Sequence, residues 1–175
     1  MRVMVTGAGG VLGSYVVSRL LELGFRVTAV SSQPADHVRT RVTKRGGTRN
    51  PRVAELSVVS TREVLSQDWD GGYAAVVHCA FPRRGDGAQL AEWFESHKSL
   101  CEKAAAESVR VFLNVSSQSV YAPDREGKAA ERDPVSCYDR YSTAKYAAEV
   151  IAGAVVPAAA LVNVRLASLI GPDYP

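Results

Sequence analysis

The sequence lacks the features that mark several classes of protein. Its three cysteines, Cys79, Cys101 and Cys137, lie far apart without a C-x-x-C spacing, which argues against a disulfide framework and a zinc site. We therefore expect a cytoplasmic protein with no bound metal. The first apolar run is interrupted by glycines and no longer one follows, which predicts neither a targeting segment nor a membrane partner.

An excess of charge of either sign is also missing. The formal net charge is +3 over 175 residues, and acidic residues are spread through the chain, so the overall charge favours neither a nucleic-acid nor a membrane partner. Hydrophobic residues make up 46% of the chain and charged residues 22%, which is typical of one globular domain with a buried core. Net charge therefore decides little about the partner of this protein.

What the sequence does contain is a regular alternation of apolar runs and helical patterns. Short apolar runs predict strands at residues 3–5, 27–30, 53–59, 74–79, 109–115 and 158–166. Apolar residues at helical spacing predict helices most clearly at residues 11–23, 90–106 and 141–155.

This alternation predicts βαβ units and a fold of the α/β class. We expect a doubly wound parallel sheet, a Rossmann fold with helices on both faces in three αβα layers. The ligand crevice of such a sheet lies at the carboxyl ends of its strands. Functional residues are therefore expected just after Val5, Val30, Cys79 and Val115.

Residues 36–52 break the alternation. They hold six basic residues and several glycine and proline residues where a second crossover helix would be expected, and the composition predicts a short, polar, mobile segment. A basic run of this kind can contact nucleic-acid phosphates. Because no aromatic platform or reading helix accompanies it, we do not expect a nucleic-acid partner.

A glycine-rich turn follows the first predicted strand and opens the first predicted helix. Gly7, Gly10 and Gly13 are suited to a tight turn, a close approach to a pyrophosphate and close packing of helix on strand, respectively. The free N–H groups and positive dipole of the helix N-terminus also favour an anion. The turn, with Val11 and Leu12, predicts a dinucleotide site, and a ligand-free turn is the alternative.

Tyr141 and Lys145 are four residues apart, which places a phenol and an ammonium on one face of a helix. A positive charge close to a phenol favours the phenolate, as a general acid/base near neutral pH requires. Upstream, the fifth predicted strand ends in the hydroxyls of Ser116, Ser117 and Ser119. Taken alone, a Tyr-x-x-x-Lys pair is typical of a solvated helix face, so the hypothesis of an active site depends on the combination.

The combination resembles the extended branch of the short-chain dehydrogenase/reductase superfamily. The glycine turn, the strand at 76–80, the Ser-Ser strand end with Val120-Tyr121, and Tyr141 to Lys145 followed by Glu149 occur in family order. They span nearly the whole chain. Arg165-Leu166 and Gly171-Pro172 resemble the segment with which extended members, such as nucleotide-sugar epimerases and dehydratases, leave the sheet for their substrate domain.

The resemblance implies a role for each site residue. Tyr141 is expected to be the catalytic acid/base, Lys145 to hold the nicotinamide ribose and tune Tyr141, and Ser117 to bind the substrate oxygen. The implied cofactor contacts, besides Tyr141 and Lys145, are Gly7, Gly10, Val11, Leu12, Gly13, Ser31, Ser32, Glu55, Leu56 and Ala80. The activity implied is that of an NAD(P)-dependent oxidoreductase, epimerase or dehydratase, acting as a homodimer on a nucleotide sugar or a related carbonyl or hydroxyl compound.

The sequence departs from the family pattern at several points. Ser31 and Ser32 stand where an acidic residue would bind the ribose of NAD, and with Arg39 and Arg41 nearby they favour NADP over NAD. The asparagine usual near residues 93–97 is missing, and His97 there is interpreted as a surface or packing residue.

Extended members also continue much further than this chain. We therefore predict a dinucleotide-binding domain at residues 1–167 and the start of a truncated substrate region at 168–175, with most of the substrate domain absent. The alternative is a non-catalytic domain that senses dinucleotides.

Overall fold

Strands and helices alternate along the chain in the computed structural model, which describes residues 1–46, 51–54, 56–69, 72–83, 85–124 and 127–170. The strands are β1 (Arg2–Thr6), β2 (Arg26–Val30), β3 (Ser57–Val59), β4 (Ala75–His78), β5 (Val111–Ser117) and β6 (Leu161–Leu166). The helices are α1 (Val11–Glu22), α2 (Ala35–Arg45), α3 (Thr61–Ser66), α4 (Gly87–Ala106) and α5 (Arg140–Val155). Single turns of 3₁₀ helix lie at Pro51–Val53 and Gln118–Val120.

The six strands form one parallel sheet in the order β3-β2-β1-β4-β5-β6. The chain builds outward from β1 to β3, crosses back to β4 and then builds outward to β6. The strand order therefore switches direction between β1 and β4, where Val5 pairs with Val77. A crevice opens at the carboxyl ends of strands at such a switch. The predicted doubly wound Rossmann fold is confirmed.

Helices cover both faces of the sheet. Val3 and Val5 of β1 belong to a buried cluster with residues of α1 and α2, whereas Met4 belongs to a second cluster with residues of α3, α4 and α5. Side chains alternate across a strand, so these clusters are the two cores on opposite faces. The result is the three-layer αβα arrangement that the sequence predicts.

The prediction of a mobile segment at residues 36–52 is wrong for its first part, because α2 fills the place of the second crossover helix. Val38 and Val42, one helical turn apart, are fully buried in the cluster with α1. Two valines are enough to anchor the helix through tertiary packing, although the remaining residues are mostly polar or basic. Residues 47–50 lie outside the described residues.

Two further observations concern membrane-spanning helices and the end of the described chain. No helix in the described residues has the length and apolar character that crossing a membrane requires. Residues 167–170 follow β6 without regular secondary structure, and residues 171–175, part of the predicted substrate region, lie outside the described residues.

Gly153 and Gly24 offer a matched test of this backbone. Gly153 lies inside α5, and a Cβ added there would have no neighbour within 4 Å. We expect Gly153→Ala to raise the free energy of unfolding by about 0.5–1 kcal/mol, because glycine is a poor helix former. Gly24 has a φ of 84°, so Gly24→Ala should lower it by about 1–2 kcal/mol. Urea denaturation followed by circular dichroism measures both, and a destabilising Gly153→Ala would contradict the helical assignment.

Candidate active site

A cleft of about 520 Å³ lies at the carboxyl ends of β1, β4 and β5. The glycine turn between β1 and α1 forms one wall, and the end of β5 with the first turns of α5 forms another. The predicted site residues that line this cleft are Gly7, Gly10, Val11, Leu12, Gly13, Ser117, Tyr141 and Lys145. The fold therefore brings the predicted catalytic residues and the glycine turn into one cavity at the switch in strand order.

The glycine turn is held in a shape that side chains would disturb. Gly7 has a φ of 68°, and a Cβ on it would lie 2.7 Å from the backbone nitrogen of Ala80. A Cβ on Gly13 would lie 2.2 Å from the carbonyl oxygen of Gly7. Gly10 caps α1 without a side-chain hydrogen bond, so the first N–H groups of the helix keep no side-chain acceptor at this cap. The turn thus has the close packing and the donors of a phosphate cradle.

Ser31 and Arg41 lie beside the turn, on the side of β2. A Cβ on Gly9 would meet Ser31 Oγ at 2.7 Å, and Arg41 donates a hydrogen bond of 2.6 Å to the carbonyl oxygen of Gly9. Ser32, the next residue along, is exposed. A cation and a hydroxyl therefore flank the glycine turn, and no acidic side chain follows β2 directly.

Lys145 is buried at the floor of the cleft. Lys145 is only 6% exposed. Its Nζ donates a hydrogen bond of 2.9 Å to the carbonyl oxygen of Val115 and lies 4.2 Å from the ring centroid of Phe81. Burial lowers the pKa of Lys145 to about 8, against opposing effects of Cys79 and Glu149. Its charge is therefore sensitive to pH close to neutrality.

Tyr141 stands beside Lys145 with its ring packed edge-on against Phe81, at 5.4 Å between centroids. Phe81 thus contacts both catalytic candidates. The tyrosine hydroxyl makes no hydrogen bond with any described residue, which leaves it available to a ligand in the cleft.

Glu149 anchors the elements around Ser117. It is buried, accepts a hydrogen bond from Ser116 Oγ, and accepts further bonds from Arg165, with 2.6 Å between Nη2 and Oε2. The end of β5, α5 and β6 are thereby tied together. Because Ser116 is engaged in this network, Ser117 and Ser119, whose hydroxyls lie 3.1 Å apart, are the hydroxyls left to face a substrate.

Two buried histidines pack beneath the cleft. His97 is fully buried, its Nε2 donates to the carbonyl oxygen of Ala148 at 3.0 Å, and its ring stacks on His78 with 4.8 Å between centroids. Burial lowers the pKa of both histidines below the usual value. His97 is thus a packing residue, one of the two roles that the sequence suggested.

These histidines predict a loss of stability in acid. Their pKa values in the folded state lie below that of a free histidine near 6.5, so the unfolded chain takes up protons first as the pH falls. The contribution of the two neutral histidines to stability should be present above about pH 6.5 and be lost below it, by up to about 1.4 kcal/mol per pH unit for each histidine.

Urea denaturation at several pH values between about 7.5 and 5.5 measures this decline. His97→Phe keeps an aromatic ring in the stack and should make the slope shallower. His37→Asn, at an exposed histidine, should leave the slope as it is. A slope unchanged in His97→Phe would show that His97 is not the group that takes up the proton.

Some predicted cofactor residues lie elsewhere. Ala80 is close to the turn, since its N–H donates to Thr6 Oγ1 at 3.3 Å. Leu56, an implied cofactor contact inside the strand predicted at residues 53–59, precedes β3 and is 2% exposed in the core with α1 and α2. The observed strand begins only at Ser57, four residues later than its apolar pattern predicts, so Leu56 packs in the core and Ser60 follows the carboxyl end of β3. Glu55 lies outside the described residues.

The cleft also contains residues that the sequence did not single out. Cys79, Phe81 and Arg83 line it from the end of β4, a position that the strand pattern indicates without saying which side chains face inward. The cysteines are unpaired. Within the described parts of the chain, no group of three or more His, Cys, Asp or Glu residues is placed to hold a metal ion.

The sheet order and the cleft define a Rossmann-type α/β domain. The chain belongs to the NAD dependent epimerase/dehydratase family, whose model matches residues 3–175. This agrees with the family resemblance of the sequence.

A curated protein is similar to this chain over part of its length. Cinnamoyl-CoA reductase 1 of Arabidopsis thaliana is 32% identical over 130 residues, which are 73% of this chain and 38% of that protein. The matched part of the chain therefore spans well under half the length of this curated relative.

Solved structures show the fold at lower identity. The Bordetella bronchiseptica enzyme WbmG, in complex with NAD and UDP, is 24% identical with a TM-score of 0.75 over 99% of this chain and 55% of that one. The dTDP-glucose 4,6-dehydratase DesIV of Streptomyces venezuelae, with NAD bound, is 22% identical with a TM-score of 0.71 over 88% and 51%. This chain thus corresponds to about half of each of these structures.

Proposed function

We propose that this chain is the dinucleotide-binding and catalytic part of an NAD(P)-dependent oxidoreductase, epimerase or dehydratase. The observation that carries the proposal is the convergence of the glycine turn, Ser117, Tyr141 and Lys145 on one cleft. The proposed substrate is a nucleotide sugar or a related carbonyl or hydroxyl compound, in keeping with the names of the structural neighbours. The proposed dinucleotide-binding domain comprises residues 1–167.

The residues of the cleft fit a dinucleotide. Gly10 borders the cavity without a side chain, and the tight contact between Gly13 and Gly7 lets the N-terminus of α1 face the position of a pyrophosphate. We infer that Lys145 Nζ, on the cavity floor, holds a ribose hydroxyl. When bound, the nicotinamide supplies hydride transfer to or from a substrate carbon.

Side chains of the protein carry out the proton transfer. Tyr141 gives a proton to the substrate oxygen or takes one from it, and Ser117 donates a hydrogen bond that holds the same oxygen in place. The ammonium of Lys145 favours the phenolate of Tyr141 electrostatically and stays in position through its bond to Val115. Phe81 excludes water from the face that both side chains share.

We propose that the cofactor is NADP rather than NAD. An acidic residue after β2 would repel a 2′-phosphate, and Ser31 and Ser32 stand there instead. Arg41, held against Gly9, supplies a guanidinium on that side of the turn.

Arg41→Gln should weaken NADP binding by about tenfold or more through loss of a charged hydrogen bond, while NAD affinity stays the same. Arg19→Gln, on the exposed part of α1, is the control, and equal losses for both dinucleotides would contradict the assignment.

A screen for turnover tests the proposed reaction. UDP-glucose, UDP-glucuronate, dTDP-glucose and a cinnamoyl thioester are incubated with the protein and NADP, NADPH, NAD or NADH, and the products are identified by mass spectrometry and NMR. The proposal expects conversion of at least one substrate. Dinucleotide binding without any conversion would favour the alternative, a domain that senses dinucleotides.

The cytoplasmic location, and a homodimer packed through α4 and α5, remain predictions.

A further inference from the structure

Arg83 lies on the wall between the cleft and a second cavity of about 290 Å³. The two cavities share Phe81, Arg83 and Tyr141, whereas no residue of the glycine turn lines the second one. The second cavity therefore extends the site past Tyr141, away from the proposed cofactor. A substrate whose reacting oxygen meets Tyr141 has its remaining atoms within reach of this cavity.

The charges around this extension are mainly positive. Arg83 is exposed, and its guanidinium makes no hydrogen bond or ion pair with any described residue. Arg140 also lines the second cavity, and its Nη2 donates a hydrogen bond of 3.0 Å to the carbonyl oxygen of Gly85. Asp139 also lines the cavity, but its Oδ1 accepts a bond of 2.6 Å from the N–H of Ser142 and so caps α5.

The main cleft also has positively charged lining residues. Its described lining residues include Lys145 and Arg83 but no aspartate or glutamate. Cavities lined by charge of one sign raise the local concentration of the opposite ion. A guanidinium, with its planar set of donors, matches the paired oxygens of a phosphate or a carboxylate.

We propose that Arg83, assisted by Arg140, is an anion-binding subsite that selects substrates carrying a phosphate or carboxylate group on the far side of Tyr141 from the cofactor. The inference rests on the proposed function and narrows its substrate class. Neutral alcohols and carbonyl compounds bind this site without the contact, and cationic ones are repelled.

Equilibrium titrations of the full chain loaded with NADP test the subsite. The probes are UDP-glucose and inorganic pyrophosphate as phosphates, glucuronate as a carboxylate, and glucose as the uncharged control. Arg83→Gln should weaken at least one anionic probe by about tenfold and leave glucose unchanged, since a charged hydrogen bond is lost. Arg83→Lys, which keeps the charge but not the paired donors, should fall between. Arg110→Gln is the matched control, at an exposed arginine before β5 and so at the opposite end of the sheet.

The source of the anion follows from which probes respond. A loss confined to UDP-glucose and pyrophosphate assigns the subsite to phosphate, and a loss confined to glucuronate assigns it to a carboxylate. The proposal is overturned if no anionic probe binds the wild type, if Arg83→Gln binds the anions as the wild type does, or if Arg83→Gln weakens NADP equally, which places Arg83 at the cofactor. Failure of the wild type to bind either NADP or NAD is a separate result that refutes the proposed function.

Discussion

Tyr141→Phe is expected to lower the turnover of this protein by about a hundredfold to ten-thousandfold, the usual contribution of a general acid/base. The substitution removes only the hydroxyl, which makes no hydrogen bond with any described residue. The ring that packs edge-on against Phe81 is kept, so neither the fold nor the shape of the cleft should change. The loss therefore belongs to the chemical step, and affinity for the dinucleotide should be retained.

Tyr146→Phe is the matched control for this variant. Tyr146 lies in the same helix, is 37% exposed and does not line the cleft, so removal of its hydroxyl should leave turnover intact. Initial rates with the substrate found in the screen and dinucleotide titrations of all three proteins give the comparison. Turnover unchanged in Tyr141→Phe would mean that another group moves the proton.

The second large effect is expected from Gly10→Asp, which should weaken dinucleotide binding by about a hundredfold or more. A carboxylate at this position would stand where a pyrophosphate approaches the N-terminus of α1. The negative charges of the carboxylate and the pyrophosphate would then repel each other. The fold should tolerate the change, because a Cβ on Gly10 meets only the carbonyl oxygen of Gly7, at 3.1 Å. Gly13→Ala differs, since its Cβ at 2.2 Å from the same oxygen should distort the turn itself.

The same substitution in a different helix provides the control. Gly87 is the first residue of α4, a Cβ there has no neighbour within 4 Å, and an aspartate suits a helix N-terminus. Thermal unfolding and dinucleotide titration of Gly10→Asp and Gly87→Asp separate loss of binding from loss of fold. A Gly10→Asp protein that binds dinucleotides as the wild type does would remove the glycine turn from the site.

Much of this site is predictable because its residues have requirements that show locally in the sequence. Glycine is needed where the backbone turns or packs closely, as at Gly7 and Gly13, and a tyrosine and lysine four residues apart share a helix face in any fold. The parallel sheet then places every strand's carboxyl end at one edge, which brings these motifs together without knowledge of the contacts.

The remaining features depend on tertiary packing that spacing does not reveal. The buried Val38 and Val42 hold α2 against α1, although most of that helix is polar. Arg41 reaches Gly9 across 32 positions of sequence, and Glu149 meets Ser116 across 33. Phe81 carries no polar group, so nothing in the sequence marks it as a neighbour of both Tyr141 and Lys145.

The most direct measurement of the central claim is an equilibrium titration of the unmodified chain with NADP and NAD in parallel, at low and at high salt. The proposed function predicts saturable binding of a dinucleotide at one site per chain, with NADP the tighter ligand, and binding that persists at salt concentrations that remove loose phosphate contacts. Failure of both dinucleotides to bind would contradict the assignment of the glycine turn and with it the proposed function.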